Sequence, residues 1–127
     1  MGPAMEKLRP RRERKRRRDL YELRGVWRDQ LLVSLRVHKL TASAFVIGYV
    51  MANYMTMQET TKRYLETGKI IVNPLQETLQ ERTGFNLQTI SNGITQLIEH
   101  EHLRKLRRGN QFIGGNRYRI VIKQVTA

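Results

Sequence analysis

The stretch that decides the fold is NPLQETLQERTGFNLQTISNGITQLIEHEHLRKLRR, which spans residues 73–108. Pro74 is typical of the first turn of a helix, and Asn73 before it is a residue type that caps helices. Gly84 predicts the end of this short helix, because glycine adopts the left-handed conformation that often follows a last helical turn. A second helix begins almost at once, so the two are joined by a tight turn over residues 83–86. Such a pair is typical of a helix-turn-helix motif.

The second helix of this pair is predicted to begin after Asn86, as its N-cap, and to continue to about Glu101. Its apolar residues recur at helical spacing and form one stripe: Leu87, Ile90, Ile94, Leu97 and Ile98. In a helix-turn-helix the second helix enters the major groove of DNA, with its first turns at the base edges. Amide and hydroxyl side chains suit that role, because Asn and Gln bond adenine and Thr contacts the thymine methyl group. The base-reading candidates are therefore Gln88, Thr89, Ser91, Asn92 and Gln96.

Beyond His102 the hydrophobic period changes from that of a helix to that of a strand. Leu103 and Leu106 indicate one strand, and the alternation of Tyr118, Ile120 and Ile122 indicates another. The glycine- and asparagine-rich residues between them predict a turn, so the whole is a basic β-hairpin. A hairpin beside a recognition helix is a wing, which binds phosphates and sets affinity rather than sequence preference. The predicted phosphate contacts are Arg104, Lys105, Arg107, Arg108, Arg117 and Arg119.

Upstream, apolar residues at spacings of three and four predict an N-terminal helix over about 20–35, with Asp19 as its N-cap. A second helix, capped by Thr41 or Ser43, is predicted to run to about Met57, and it is apolar almost all round. Residues 58–67 extend that helix or form a loop, which Gly68 ends. The β-branched residues 70–72 predict a short strand. Trp27 is interpreted as an anchor of the N-terminal helix against the body.

The cysteine count, the length of the apolar runs and the net charge exclude several classes of function. The chain has 127 residues with 24 Lys and Arg against 11 Asp and Glu, a formal net charge of +13, and no cysteine. Cysteine catalysis, disulfide scaffolds and Cys-based zinc sites are therefore excluded. The longest apolar run, residues 44–52, is too short to cross a bilayer, which needs about 20 residues. Such a charge favours a polyanionic partner, with no membrane and no small-molecule substrate.

The positive charge is concentrated at the two ends of the chain. Residues 1–20 carry nine basic and three acidic side chains, whereas residues 40–99 carry four basic and five acidic ones. A run with so few apolar residues predicts a flexible basic arm over residues 1–18, ahead of one folded domain over 19–127 whose core is 40–123. The arm's candidates for nucleic-acid contact are Arg11, Arg12, Arg14, Lys15, Arg16, Arg17 and Arg18.

The ordered set of motifs resembles a known family. The stretch over residues 73–108, the later GGNRYRIVI and the earlier WRDQLLVS and KLTASAFVIGYVMANYM are similar to bacterial winged helix-turn-helix domains. The nearest groups are plasmid replication-initiator-like proteins and GntR- or MarR-type regulators. The resemblance implies a mainly α fold with a small antiparallel β-wing, here with an added N-terminal helix and a basic disordered arm. It also implies sequence-specific binding of double-stranded DNA, in transcriptional regulation or in plasmid or phage replication control.

Two departures from that pattern carry expectations of their own. The glycine that usually closes the recognition helix is replaced by His102, within HEHL (residues 100–103), which predicts a less tight helix exit. The recognition helix also lacks its usual basic residues, which shifts the expected phosphate contacts to the wing.

Other functions are weighed against DNA binding. One alternative is that the winged helix is a protein-interaction module of a larger machine. Another is that the Arg-rich arm binds RNA. No catalytic set is apparent, so an enzyme is not expected, and no cofactor is implied. His38, His100 and His102 are interpreted as structural, with no metal site. The helix over 20–35 is a candidate for homodimer formation, and a bacterial, cytoplasmic and nucleoid-associated protein is expected.

Overall fold

The computed structural model describes residues 11–107 and 116–123, and it is mainly helical with one small antiparallel sheet. The mainly α class with a few strands is therefore confirmed. The helices are α1 (Arg11–Arg36), α2 (Ala42–Met51), α3 (Gln58–Thr67), α4 (Gln76–Thr83) and α5 (Leu87–Glu99), with a 3-10 turn at Ala52–Thr56. The strands are β1 (Ile71–Val72), β2 (Leu103–Arg107) and β3 (Arg117–Ile120).

Helix α1 is longer than the sequence predicted. It begins at Arg11, so the expected start at residue 20 with Asp19 as N-cap is wrong, and so is a flexible arm over residues 11–18. Arg, Lys and Glu are strong helix formers, and a helix that is already anchored extends at little cost. Trp27 and Leu31, both fully buried, provide that anchor. Residues 1–10 of the predicted arm lie outside the described residues.

The second predicted helix is divided in two. Thr41 caps α2 as expected, since its hydroxyl accepts a bond from the backbone N–H of Ala44 at 3.2 Å. The helix then tightens into the 3-10 turn and stops at Met57, whose backbone is extended. A continuous helix to Met57 was therefore wrong, and α3 is a separate helix. Gly68 ends α3 in the left-handed conformation, with φ of 73°.

The two helices of the central stretch keep their predicted turn but not all their predicted ends. The N-cap of α4 is Leu75, so Asn73 and Pro74 precede the helix rather than open it. Gly84 ends α4 in the left-handed conformation, with φ of 75°, as predicted. Asn86 caps α5 as predicted, and its side-chain oxygen accepts a bond from the backbone N–H of Thr89 at 2.8 Å.

The exit from α5 is tight, contrary to expectation. Glu101, and not His102 as predicted, takes the left-handed position that glycine usually fills, with φ of 61°. The backbone N–H of His102 then donates to the carbonyl of Leu97 at 2.8 Å, and that of Glu101 donates to Ile98 at 3.0 Å. These two bonds form a Schellman closure without glycine, and they direct the chain straight into β2.

The three strands form an antiparallel sheet in the order β1-β3-β2. β3 is central, with Ile71 opposite Arg119 on one side and Arg104 opposite Arg119 on the other. The register between β2 and β3 shifts between Lys105 and Arg107, which marks a bulge. The predicted last strand was too long, because β3 ends at Ile120.

Helices α2 and α5 pack closely at the centre of the core. Gly93 on α5 is buried, and a Cβ there would lie 3.3 Å from the Cα of Ala44 and collide with the side chain of Ile47. Only a glycine lets the two helix backbones approach so closely. Among the residues described, no helix combines the length and the apolar character needed to cross a membrane.

Candidate nucleic-acid interface

One face of α5 is exposed and lined with short polar side chains. Gln88, Ser91, Asn92 and Thr95 are all exposed, at the helical spacing that places them on one side. The amide nitrogen Nε2 of Gln88 donates to Oδ1 of Asn92 at 2.9 Å. This bond holds the two amides together as one unit, and each keeps at least one free donor and one free lone pair for a base edge.

The remaining two base-reading candidates are placed differently. Thr89 is half-buried at the side of the helix. Gln96 is half-buried too, and its Oε1 accepts bonds from the backbone N–H and the hydroxyl of Thr41, at 3.0 and 3.3 Å. Gln96 therefore ties α5 to the start of α2 and does not belong with the exposed face. Its place on the helix looked equivalent in sequence, because spacing alone does not show where a neighbouring helix begins.

The arginines of the sheet share a face that turns away from the core. Tyr118 and Ile120 are buried, so alternation places Arg117 and Arg119 on the opposite side of β3. Arg104 lies directly across from Arg119 on the same face. Lys105 pairs with Tyr118 and so lies on the other side of the sheet. We call Arg104, Arg117 and Arg119 the sheet arginines.

The sheet arginines face one another without a compensating acid. Arg104 and Arg119 are cross-strand partners, an arrangement in which like charges destabilise a sheet. Within the described part of the chain, none of the three has a side-chain hydrogen bond or an ion pair. Arg107 opposes Arg117 along the strand backbone. Arg108 lies outside the described residues. A bound polyanion would relieve this repulsion.

The basic residues at the start of α1 are arranged on a helix and not on a free arm. Lys15 and Arg18 are exposed and Arg17 is half-buried. The other predicted contacts of this segment lie on the same helical backbone, at Arg11, Arg12, Arg14 and Arg16.

Comparison with known proteins gave no relative. No protein-family model, no curated protein and no solved structure matches this chain. The functional interpretation therefore depends on the geometry of the described residues.

A buried contact that sequence reasoning missed lies behind the sheet. Trp27 is fully buried, as the anchor interpretation requires, and its Nε1 donates to the carbonyl of His102 at 3.2 Å. His102 is itself only 1 % exposed, and its Nε2 lies 2.7 Å from the hydroxyl of Ser34. The two residues are 68 positions apart in the chain, so no local pattern signals the contact. In the described residues no group of three or more metal-ligating side chains was found.

Burial determines the protonation of His102. Desolvation, followed by the positive charges of Lys123, His100 and Lys39, lowers the pKa of His102 from 6.5 to about 4. The ring is therefore neutral at physiological pH. Its Nδ1 is buried and has no hydrogen-bond partner among the described residues, which is an uncommon situation for a ring nitrogen.

Proposed function

We propose that this chain binds double-stranded DNA through a winged helix-turn-helix, with α5 as the recognition helix. The order helix, strand, helix, tight turn, helix and two antiparallel strands supports this proposal, because it is the order that the family resemblance implies. The turn between α4 and α5 is short and capped at both sides, by Gly84 and by Asn86. α5 follows it directly, as a recognition helix does.

The observation that carries the proposal is the cross-strand pair of Arg104 and Arg119, for which the described residues provide no ion pair. A protein that used this face only to meet water would gain stability by replacing either residue. A polyanion on this face would account for such a pair, since phosphates pair with both guanidinium groups. The net charge of +13 over the chain supports the same partner.

In this proposal, sequence is read by α5 and affinity comes from the sheet. The bonded amides of Gln88 and Asn92 would contact base edges in the major groove, flanked by Ser91 and Thr95. A bidentate amide contact to adenine discriminates by about 1–3 kcal/mol against a wrong base. The sheet arginines would bind phosphates, so their contribution is independent of base sequence but strongly dependent on salt.

The cellular role that we propose is transcriptional regulation or plasmid or phage replication control, in the nucleoid of a bacterial cytoplasm. A homodimer through residues 20–35 is one candidate arrangement on DNA and a monomer is the other, and the proposed function requires neither. Dimeric helix-turn-helix proteins bind half-sites about one helical turn apart. A footprint of two such half-sites, or of one, distinguishes a dimer from a monomer on DNA.

Selection from a random duplex pool tests the proposal most directly. We expect the full chain to enrich one short motif, and to prefer that duplex to a scrambled duplex, a hairpin RNA and a single strand at one salt concentration. Equal binding to all four competitors would contradict sequence-specific recognition and favour the protein-interaction alternative. Preference for the hairpin RNA would instead favour RNA binding.

RNA binding by α1 is the second candidate, and one observation favours it. The Arg-rich residues 11–18 form the first turns of a long helix, and Lys15 and Arg18 are exposed there. Basic helices of this kind bind structured RNA through phosphates. Lys15→Gln with Arg18→Gln should weaken RNA binding in particular if α1 binds RNA. Equal weakening on duplex DNA would assign these residues to the DNA-binding surface.

A further inference from the structure

A cleft of about 480 Å³ lies between α1, the exit of α5 and the residues after β3. It is distinct from the candidate nucleic-acid interface, because its lining includes neither an exposed polar residue of α5 nor a sheet arginine. The residues that line it are Val26, Asp29, Gln30, Val33, Ser34, Val37, Lys39, His102 and Lys123.

One wall of the cleft is an exposed apolar stripe. Val26, Val33 and Val37 are separated by seven and four residues, so they share one side of the α1 region, and they are 38 %, 57 % and 56 % exposed. The opposite side of α1 is packed against the core through Trp27 and Leu31. The helix is therefore apolar on two sides, and the described residues cover only one of them.

Polar groups converge at the other side of the cleft. His102, only 1 % exposed, lines it together with Ser34, which is bonded to the ring at Nε2. The other ring nitrogen, Nδ1, is a buried polar atom with no hydrogen-bond partner among the described residues. Such a group costs stability until a partner reaches it.

Positive charge surrounds this buried ring. Lys39 and Lys123 both line the cleft, and both act on His102 strongly enough to contribute to the lowering of its pKa. The ammonium group of Lys123 is held in place, because its Nζ donates to the carbonyl of His100 at 2.9 Å. Gln30 holds the backbone of Lys123 on both its N–H and its carbonyl, at 2.9 and 2.8 Å. Asp29 is the one acid in the lining, on α1.

We propose that this cleft binds a small aliphatic carboxylate. The chain of the ligand would cover Val26, Val33 and Val37, and its carboxylate would lie between Lys39 and Lys123. An apolar wall joined to two cations matches an amphipathic anion. A neutral alcohol would bring no negative charge to the two lysines, and an alkylammonium would be repelled by them.

The site is independent of the proposed DNA binding, and so is its test. Trp27 is the single tryptophan of the chain and is bonded to the carbonyl of His102, so its fluorescence reports on the cleft. The full chain is titrated with butanoate, hexanoate and octanoate, and with hexanol and hexylammonium, at constant ionic strength. The His102 ring signals are followed in parallel by NMR.

We expect saturable binding that tightens from butanoate to octanoate, since each added methylene buries more apolar surface. Hexanoate should bind at least about threefold more tightly than hexanol or hexylammonium, which is the scale of one exposed ion pair. It should also shift the His102 ring signals. Equal affinities for the three hexyl compounds, or no saturable change with any carboxylate, would overturn the proposal.

Two variants separate the parts of the site. Lys39→Gln should weaken hexanoate binding about threefold and leave hexanol binding unchanged, whereas Val33→Asp should abolish both. The matched control, Lys62→Gln on α3, removes an exposed cation that is not in the lining and should change neither. If Lys62→Gln weakens hexanoate binding as well, the effect of Lys39→Gln comes from net charge alone, which would overturn the placement of the carboxylate beside Lys39. A dimer that dissociates in Val33→Asp and excludes hexanoate in the parent would show that a second copy covers the stripe, which also overturns the proposal.

Discussion

Replacing the cross-strand arginines should weaken DNA binding and stabilise the fold at the same time. The variant carries Arg104→Gln and Arg119→Gln, which keep the side-chain length and remove both charges. Each phosphate contact contributes about 0.9 to the slope of log K against log[salt], so the double variant should flatten that slope by about 1.8. Extrapolated from 1 M to 0.15 M salt, one contact is worth about fivefold in affinity, and two are worth about 30-fold.

The same substitutions remove a like-charge pair across β2 and β3. Opposed like charges destabilise a sheet, and cross-strand pairs are worth roughly 0.2–1 kcal/mol, so the free energy of unfolding should rise by a few tenths of a kcal/mol at low salt. Added salt should reduce this gain, because it screens the repulsion in the parent. A fold that loses stability instead would mean that the two arginines have favourable contacts.

Fluorescence anisotropy with one labelled duplex, at several salt concentrations from 50 to about 300 mM, measures the slope. Lys62→Gln with Arg63→Gln on α3 is the matched control, because it removes the same net charge from another element. An unchanged slope in the sheet variant would refute phosphate contact by these arginines. The same flattening in both variants would show that total charge, and not this face, determines affinity.

Three further predictions concern α5 and the residues that follow it. Gln88→Ala and Asn92→Ala should each reduce the binding free energy by about 1–3 kcal/mol on the selected site and by little on random DNA. The double variant should lose less than the sum of the two, because bonded amides act as a unit. Additive losses in a double-mutant cycle would show that the two amides act independently. Glu101→Gly should raise the free energy of unfolding by about 1 kcal/mol, measured by denaturant unfolding, since it removes a side chain from the left-handed region; Glu99→Gly, inside the helix, should lower it. The pKa of His102 in the folded state, about 4, is below its unfolded value of 6.5. The contribution of His102 to the free energy of unfolding is therefore complete above pH 6.5 and is lost as the pH falls from 6.5 towards 4. The loss is at most roughly 3 kcal/mol. Urea midpoints across that range test this, with His38→Gln as a control that should keep the dependence.

The features that the sequence predicted well are those determined by neighbours in the chain. The Asn86 cap and the turn at Gly84 each depend on residues within a few positions of one another, and both are present. Of the predicted apolar stripe of α5, Ile90, Ile94 and Leu97 are buried, whereas Leu87 is 51 % exposed and does not belong to the buried side. Buried Trp27 belongs to the same class, since a large apolar residue on a helical stripe faces the core.

The errors have physical causes that can be named. Residues 11–18 were assigned to a flexible arm because they have no apolar surface to bury, but an anchored helix needs only good helix formers to continue. The break after Met51 was missed because a segment that is apolar on all sides shows no one-sided hydrophobic pattern, so nothing in the sequence marks where the helix ends. Gln96 was misassigned because its partner, Thr41, lies 55 residues away. The His102 contact with Ser34 could not be predicted for the same reason, because these two residues are 68 positions apart.

The glycine at position 93 has a consequence for how new target preferences could arise. It lets the inner side of α5 lie close against α2, and a larger residue there would require the Ile47 side chain and the Ala44 backbone to shift. The outward positions 88, 91, 92 and 95 are exposed and contribute little to that packing. Most members of a library randomised at those four positions should therefore fold. Under the proposed function, variants that prefer other DNA sites could then be selected without additional stabilising substitutions.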